Sequence, residues 1–158
     1  MKILSVSDSH GCFERFYEIC LLEKPDIILF SGDGAKDAME MEFLFPGIKF
    51  YIVKGNCDYY EYTVEDEVLI ELEGLKVFLT HGHVYGVNRN YSELIKKSFT
   101  KDLDIPVIGH THIPDRINVS IKEKEMVLFN PGAILNNSYG IIEIKEDNKV
   151  KFTHKILA

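Results

Sequence analysis

Lys2-Ile3-Leu4-Ser5-Val6-Ser7-Asp8-Ser9-His10 stands at the start of the chain, a mainly apolar stretch that ends on side chains able to bind metal. Residues 2–7 read as a buried strand, with Ile3, Leu4 and Val6 as its apolar positions and only small serines between them. Two later stretches repeat the pattern. Asp26-Ile27-Ile28-Leu29-Phe30 leads into Gly32-Asp33, and Lys49-Phe50-Tyr51-Ile52-Val53 leads into Gly55-Asn56-Cys57-Asp58. Between these strands the spacing predicts a helix near 12–23, with Phe13, Phe16, Ile19, Cys20 and Leu21 near one face and Pro25 closing it. A shorter helix is expected over about 37–45. Strands of this kind joined by helices imply a parallel sheet.

The second half reads differently. Val68, Ile70 and Leu72 alternate, Glu73-Gly74 turns the chain, and Leu75–Thr80 returns as a strand. A helix near 91–100 precedes the strand Pro106-Val107-Ile108. Ile117, Val119 and Ile121 alternate, 125–129 is apolar, and Tyr139–Ile144 pairs with Val150–Ile156 across Asp147-Asn148. The expected architecture is α/β: two packed mixed β-sheets flanked by helices, an αββα sandwich, in one domain over residues 1–158. A chain of this length buries a core without disulfide or metal staples.

Composition narrows the function. A net charge of −7 argues against broad binding to nucleic acid, which needs Lys and Arg to neutralise phosphates. It leaves phosphate esters open as substrates, since bound cations reverse the local sign. Cys12, Cys20 and Cys57 form no Cys-x-x-Cys pair, so neither a disulfide framework nor a thiolate zinc site is expected. Cys12 and Cys20 read as packing residues in the first helix. No apolar run is long enough to span a bilayer and no signal-peptide pattern precedes the first strand, so a cytoplasmic location without membrane attachment is the expectation.

Five motifs then stand in order: Asp8-Ser9-His10, Gly32-Asp33, Gly55-Asn56-Cys57-Asp58, His81-Gly82-His83 and Gly109-His110-Thr111-His112. Each follows an apolar run, so several strand ends would deliver oxygen and nitrogen ligands to one place. Divalent cations take carboxylate, imidazole and amide oxygen. Two of them held side by side clamp an in-line displacement, and a carboxylate suits the bridging position. Asp33, leaving a buried strand between glycines, is placed for that role. Singly the motifs have plainer readings: Asp8-Ser9-His10 as a helix cap, Gly32-Asp33-Gly34 as a turn, Asn56 as a left-handed residue, His110 and His112 as loop residues. Their joint occurrence favours a metal site.

The five motifs resemble the signature of the calcineurin-like metallophosphoesterase superfamily, and the resemblance covers essentially the whole chain. Short length and the Asn-Cys-Asp variant are similar to its small stand-alone bacterial and archaeal phosphodiesterases. The resemblance implies two divalent ions, manganese first and otherwise nickel, iron, cobalt or zinc. It assigns Asp8, His10, Asp33 and His112 to one ion and Asp33, Asn56, His81 and His110 to the other. A metal-bridging hydroxide would attack phosphorus in line, with Asn56 stabilising the developing charge, Cys57 and His83 facing the substrate and Asp58 orienting the site. Two such ions, two carboxylates and a hydroxide leave about one positive charge, which a phosphodiester monoanion balances. Most of the superfamily has His where Cys57 stands. A thiol is a weaker proton donor, which suits diesters more than monoesters.

The expected substrate is a small phosphate ester, a nucleotide-derived one among the candidates, with a homodimer left open. Two other readings compete. A protein-binding scaffold similar to the eukaryotic retromer subunit shares size and fold, and a phosphomonoesterase or nuclease shares the chemistry. Complete ligand residues favour catalysis, and an acidic single domain disfavours a nuclease. Outside the motifs, Asn130-Pro131-Gly132 is expected to pack near the site and His154 to be a part-buried strand residue. Arg89 is a candidate to steer a phosphate. Tyr59, Tyr60 and Tyr62 read as a pocket wall, a dimer contact or an ordinary loop.

Overall fold

The computed structural model describes residues 1–158. One five-stranded sheet contains β1 (Lys2–Val6), β2 (Ile27–Phe30), β3 (Lys49–Ile52), β9 (Ser138–Ile144) and β10 (Val150–Ile156) in the order β10-β9-β1-β2-β3. The other contains β4 (Glu67–Leu72), β5 (Leu75–Thr80), β6 (Ile105–Val107), β7 (Asp115–Ile121) and β8 (Lys124–Asn130) in the order β4-β5-β6-β8-β7. Both sheets are mixed. β1, β2 and β3 run parallel, with Ile3 opposite Ile27 and Ile28 opposite Phe50, while β9 and β10 add antiparallel. In the second sheet β5, β6 and β8 run parallel between antiparallel β4 and β7.

Side-chain alternation explains the layers. Ile3, Ile27 and Leu29 turn inward to meet Leu79, Val107 and Phe129 of the other sheet. Their neighbours Leu4, Val6, Ile28 and Phe30 turn outward and pack with Phe16, Ile19, Ala38 and Met41 of α1 (Phe13–Glu23) and α2 (Ala35–Leu44). Phe78, Ile108 and Leu128 pack with Leu94 of α3 (Ser92–Thr100) on the far face. The result is the αββα sandwich. No helix is long and apolar enough to cross a membrane.

Several boundaries differ from the sequence reading. Cys12 caps α1 instead of lying within it, and the helix ends before Pro25: Lys24 turns left-handed at φ 47° and donates its N–H to the Cys20 carbonyl at 3.0 Å. Ile108 lies just past β6, although its N–H still bonds Phe129 O at 3.0 Å. α2 begins at Ala35, two residues early, because Asp58 Oδ1 accepts the N–H groups of Gly34 and Ala35 at 3.0 and 3.1 Å. A carboxylate from another loop thus supplies the cap that the local sequence lacks.

Away from the motifs, Glu23 is buried at the end of α1. Its carboxylate meets Lys2 Nζ and Lys155 Nζ, each at 2.8 Å, and accepts the Tyr139 hydroxyl at 2.7 Å. Burial works to raise its pKa, but the two ammonium groups and the phenol outweigh it and bring it from 4.5 down to about 2.

Candidate metal centre

Asp8 and His10 follow β1, Asp33 follows β2, Asn56 follows β3, His81 follows β5, and His110 and His112 follow β6. All seven sit beyond the carboxyl ends of parallel strands, where the crevices of open α/β sheets lie. The turns that carry them are strained. Asp8, His10, Asp33, His110 and His112 have φ of 54°, 43°, 60°, 67° and 63°, a region that L-residues seldom occupy. The loops also approach closely. A Cβ on Gly55 would fall on the Asp33 carboxylate, and one on Gly109 would come within 2.7 Å of Asp8 Oδ2.

The seven side chains converge as two groups. In the first, Asp8 Oδ1 lies 3.0 Å from His112 Nε2 and 3.4 Å from His10 Nε2. In the second, His81 Nε2 lies 3.0 Å from Asn56 Oδ1, 3.1 Å from His110 Nδ1 and 3.2 Å from Asp33 Oδ2. Asp33 Oδ2 is also 3.7 Å from His10 Nε2, so this one atom faces both groups. Each carboxylate divides its oxygens. Asp8 Oδ2 accepts Ser7 Oγ at 2.5 Å and the His110 N–H at 3.1 Å, while Asp33 Oδ1 accepts the Cys57 N–H at 2.8 Å. Oδ1 of Asp8 and Oδ2 of Asp33 are left to face the histidines.

The donor chemistry of the second group suits a cation. His81 Nδ1 is 2.7 Å from the Ser31 carbonyl and so carries the proton, which leaves a lone pair on Nε2 in the neutral ring. That lone pair faces His110 Nδ1 and two oxygens that cannot donate, an amide oxygen and a carboxylate oxygen. Positive charge between them relieves the repulsion, either as a second proton on His81 or as a metal ion. A divalent ion with ligands at about 2.1 Å in octahedral geometry spaces adjacent ligand atoms about 3 Å apart, the separation found among these atoms.

Without an ion the residues lean on one another. Burial would lower the His81 pKa, but Asp33 and Asp8 raise it. Burial would raise that of Asp33, and His81 together with the Cys57 N–H takes it down to about 2. Burial and the charge of His81 push His110 and His83 down, towards neutral rings. His83 stands beside both, its ring 5.4 Å from His81 and 6.0 Å from His110, with Nδ1 buried and unpartnered. Cys57 is exposed. Its partial desolvation and the carboxylates of Asp33, Asp58 and Asp8 keep it a neutral thiol.

Other residues hold the loops. Asp58 does not face the histidines: its two oxygens accept the N–H groups of Asp33, Gly34, Ala35 and Gly55 at 2.8–3.1 Å, tying the second motif to the third. Sequence reasoning missed three more. Ser7 orients Asp8. Asp37 accepts Ser9 Oγ at 2.6 Å and the Gly11 N–H at 3.1 Å. Asn88 Nδ2 lies 2.7 Å from His110 Nε2. Only Ser7, adjacent to Asp8, carries a local signal. Asn130 is buried and donates to Gly109 O at 3.1 Å and Thr111 Oγ1 at 2.9 Å, clamping the loop of His110 and His112. His154 is exposed at the edge of β10, not part-buried. Its ring stacks on Phe129 at 4.6 Å and its Nε2 meets Asn130 O at 2.8 Å. Tyr59, Tyr60 and Tyr62 are 72%, 82% and 79% exposed, and Arg89 lies back over the Gly86 turn.

Comparison with known proteins supplies context. The family model of the calcineurin-like phosphoesterase superfamily domain matches residues 1–147. Among curated relatives, the probable metallophosphoesterase YsnB of Bacillus subtilis is 30% identical over 93% of this chain and 86% of its own. The phosphodiesterase YfcE of Escherichia coli is 28% identical over 85% of this chain and 79% of its own. Among solved structures, Vps29 of Entamoeba histolytica complexed with zinc aligns at a TM-score of 0.71 and 20% identity over 99% of each chain, a likeness of fold.

Proposed function

The chain belongs to the calcineurin-like phosphoesterase superfamily, and on that premise we propose that it is a phosphodiesterase working with two divalent cations. Asp8, His10, His112 and Asp33 hold one cation, and Asp33, Asn56, His81 and His110 hold the other. The observation that carries this reading is Asp33 Oδ2, which faces both groups while Oδ1 is tied to the Cys57 N–H. Bound there, two divalent cations supply charge neutralisation and an activated water for in-line displacement at phosphorus.

The protein's own groups do the rest. Asn56 commits Oδ1 to the ligand side, and its Nδ2 lies beside Cys57 Sγ at 3.6 Å as a donor towards a phosphoryl oxygen. Cys57, neutral and exposed, and His83, also neutral, add no positive charge, which fits a diester better than a dianionic monoester. The substrate class is a small phosphate ester, nucleotide-derived esters included. Oxygen and imidazole ligands accept manganese, nickel, iron, cobalt or zinc, with manganese placed first. A protein-binding scaffold is the alternative, since the fold also occurs in Vps29.

The test is to strip the protein with chelator, reload it with manganese or nickel, and assay an aryl phosphodiester beside the matching monoester. Metal-dependent turnover with the diester preferred is expected. Two bound equivalents without turnover under any metal would select the scaffold.

A further inference from the structure

Loop 83–92 contributes none of the seven ligands, yet besides His83 it brings Asn88 to hydrogen-bond distance of one of them. Asn88 Nδ2 is 2.7 Å from His110 Nε2, the ring nitrogen turned away from His81. The loop holds it firmly. Val87 is buried beside Phe78 and Ile108, and the N–H groups of Arg89 and Asn90 both bond to Gly86 O, at 2.9 and 3.3 Å. Asn88 itself is exposed, so its contact with His110 is not forced by burial.

We propose that Asn88 is a positioning residue for the cation held by His81 and His110, holding the ring orientation of His110 in either of its tautomers. The inference rests on the ligand assignment above and deepens it. As found, the amide donates to His110 Nε2, so in a neutral ring the proton stays on Nδ1 and points at His81 Nε2, 3.1 Å away. A cation taken up by Nδ1 needs that nitrogen bare, and the proton must then reside on Nε2. The group opposite Nε2 must change from donor to acceptor. An asparagine amide does this by a half-turn that exchanges nitrogen for oxygen at the same place, without moving the backbone. Asn88 therefore supports both states of the ligand, and the exposed loop leaves room for the turn.

The test uses the full chain and reads cation binding directly. Calorimetric titration of the metal-stripped protein with manganese gives stoichiometry and affinity, and the visible spectrum of the cobalt(II)-loaded protein reports ligand geometry. Asn88→Ala is expected to bind one equivalent like the parent and the other about 10–100-fold more weakly, with an altered cobalt spectrum. Asn88→Asp presents only acceptor oxygens. It is expected to keep both equivalents and to bind the affected one at least as tightly as the parent. Parent-like affinity and spectrum in Asn88→Ala, or equal weakening in Asn88→Ala and Asn88→Asp, would overturn the proposal while leaving the two-cation site standing. A parent protein that binds no cation would remove both readings together.

Discussion

Two buried carboxylate neighbourhoods lie in this small protein, and they are completed in different ways. Glu23 is enclosed by Lys2, Lys155 and Tyr139, so the chain itself supplies every countercharge and hydrogen bond. Asp8 and Asp33 are equally buried, but their ion-pair partners are histidines alone, with no Lys or Arg nitrogen within 4.0 Å. Backbone geometry separates the two as well: five of the seven converging residues sit in left-handed turns, whereas Glu23, Lys2, Tyr139 and Lys155 have ordinary backbone. One neighbourhood is a finished structural ion cluster. The other is strained, lone-pair-rich and shaped for charge from outside, which is how a functional centre differs from a stabilising one.

The largest effect should come from the atom that faces both groups. Asp33→Asn removes a negative charge where two cations are to share it, and turnover should fall by at least about 10³-fold with both equivalents lost. In the parent, cations at a hundred times their dissociation constant should each add about 2.7 kcal/mol of stability. A thermal melt with and without manganese checks this, and the Asp33→Asn protein should show no cation-induced shift. A retained shift in the variant would erase the distinction between the neighbourhoods.

Glu23→Gln probes the other side. It breaks two charge-assisted bonds whose ammonium partners regain water, at a cost of roughly 2–3 kcal/mol, while the manganese-induced shift persists. The pH dependence has a definite sign. The folded pKa of Glu23 lies below its ordinary 4.5, at about 2, so its stabilisation is fully present above about pH 5 and fades as pH falls towards 2. Urea titrations of the metal-stripped proteins across that range should converge for parent and variant at the acid end. Parallel curves would show that Glu23 is not the group that titrates.

How much of this was legible in the sequence depends on how far apart the interacting residues lie. β1, β2 and β3 declared themselves because each is an apolar stretch followed closely by its motif. The β4–β5 hairpin was legible from the alternation of Val68, Ile70 and Leu72 ahead of the Glu73-Gly74 turn. The start of α2 was not, since its cap is the Asp58 side chain from another loop. Glu23 carries no local signal in the sequence, since Tyr139 and Lys155 lie 116 and 132 positions away. At the site the motifs disclosed which residues gather and, with Asp58 and Asn130, part of what steadies them; Asn88 reaches the His110 loop only through tertiary folding.

The absence of a cationic side chain at the site leads to a smaller effect. By the resemblance of the motifs, Cys57 replaces a histidine that would add a proton donor; partial desolvation and the neighbouring carboxylates keep the thiol protonated. Cys57→His should raise monoester turnover by roughly 10-fold, a modest share of what a placed general acid supplies, with less change for the diester. Parallel assays of the two substrates measure the ratio, and an unchanged ratio would show that Cys57 does not govern ester class.

The smallest effect tests the strain itself. At φ 43° His10 occupies a conformation that costs an L-residue about 1 kcal/mol and glycine almost nothing. Both His10→Gly and His10→Ala remove the imidazole, so the difference between them isolates the backbone. In metal-stripped protein Gly should be the more stable by about 1 kcal/mol, or roughly 2–4 °C in melting temperature. At Glu18, exposed within α1, the order should invert, with Ala the more stable by a similar amount because glycine weakens a helix interior. Opposite signs at the two positions would locate the stored strain in the loops that gather the ligands. The same sign at both would mean that the left-handed turn at His10 is relaxed, and that the contrast with the Glu23 cluster lies in charge alone.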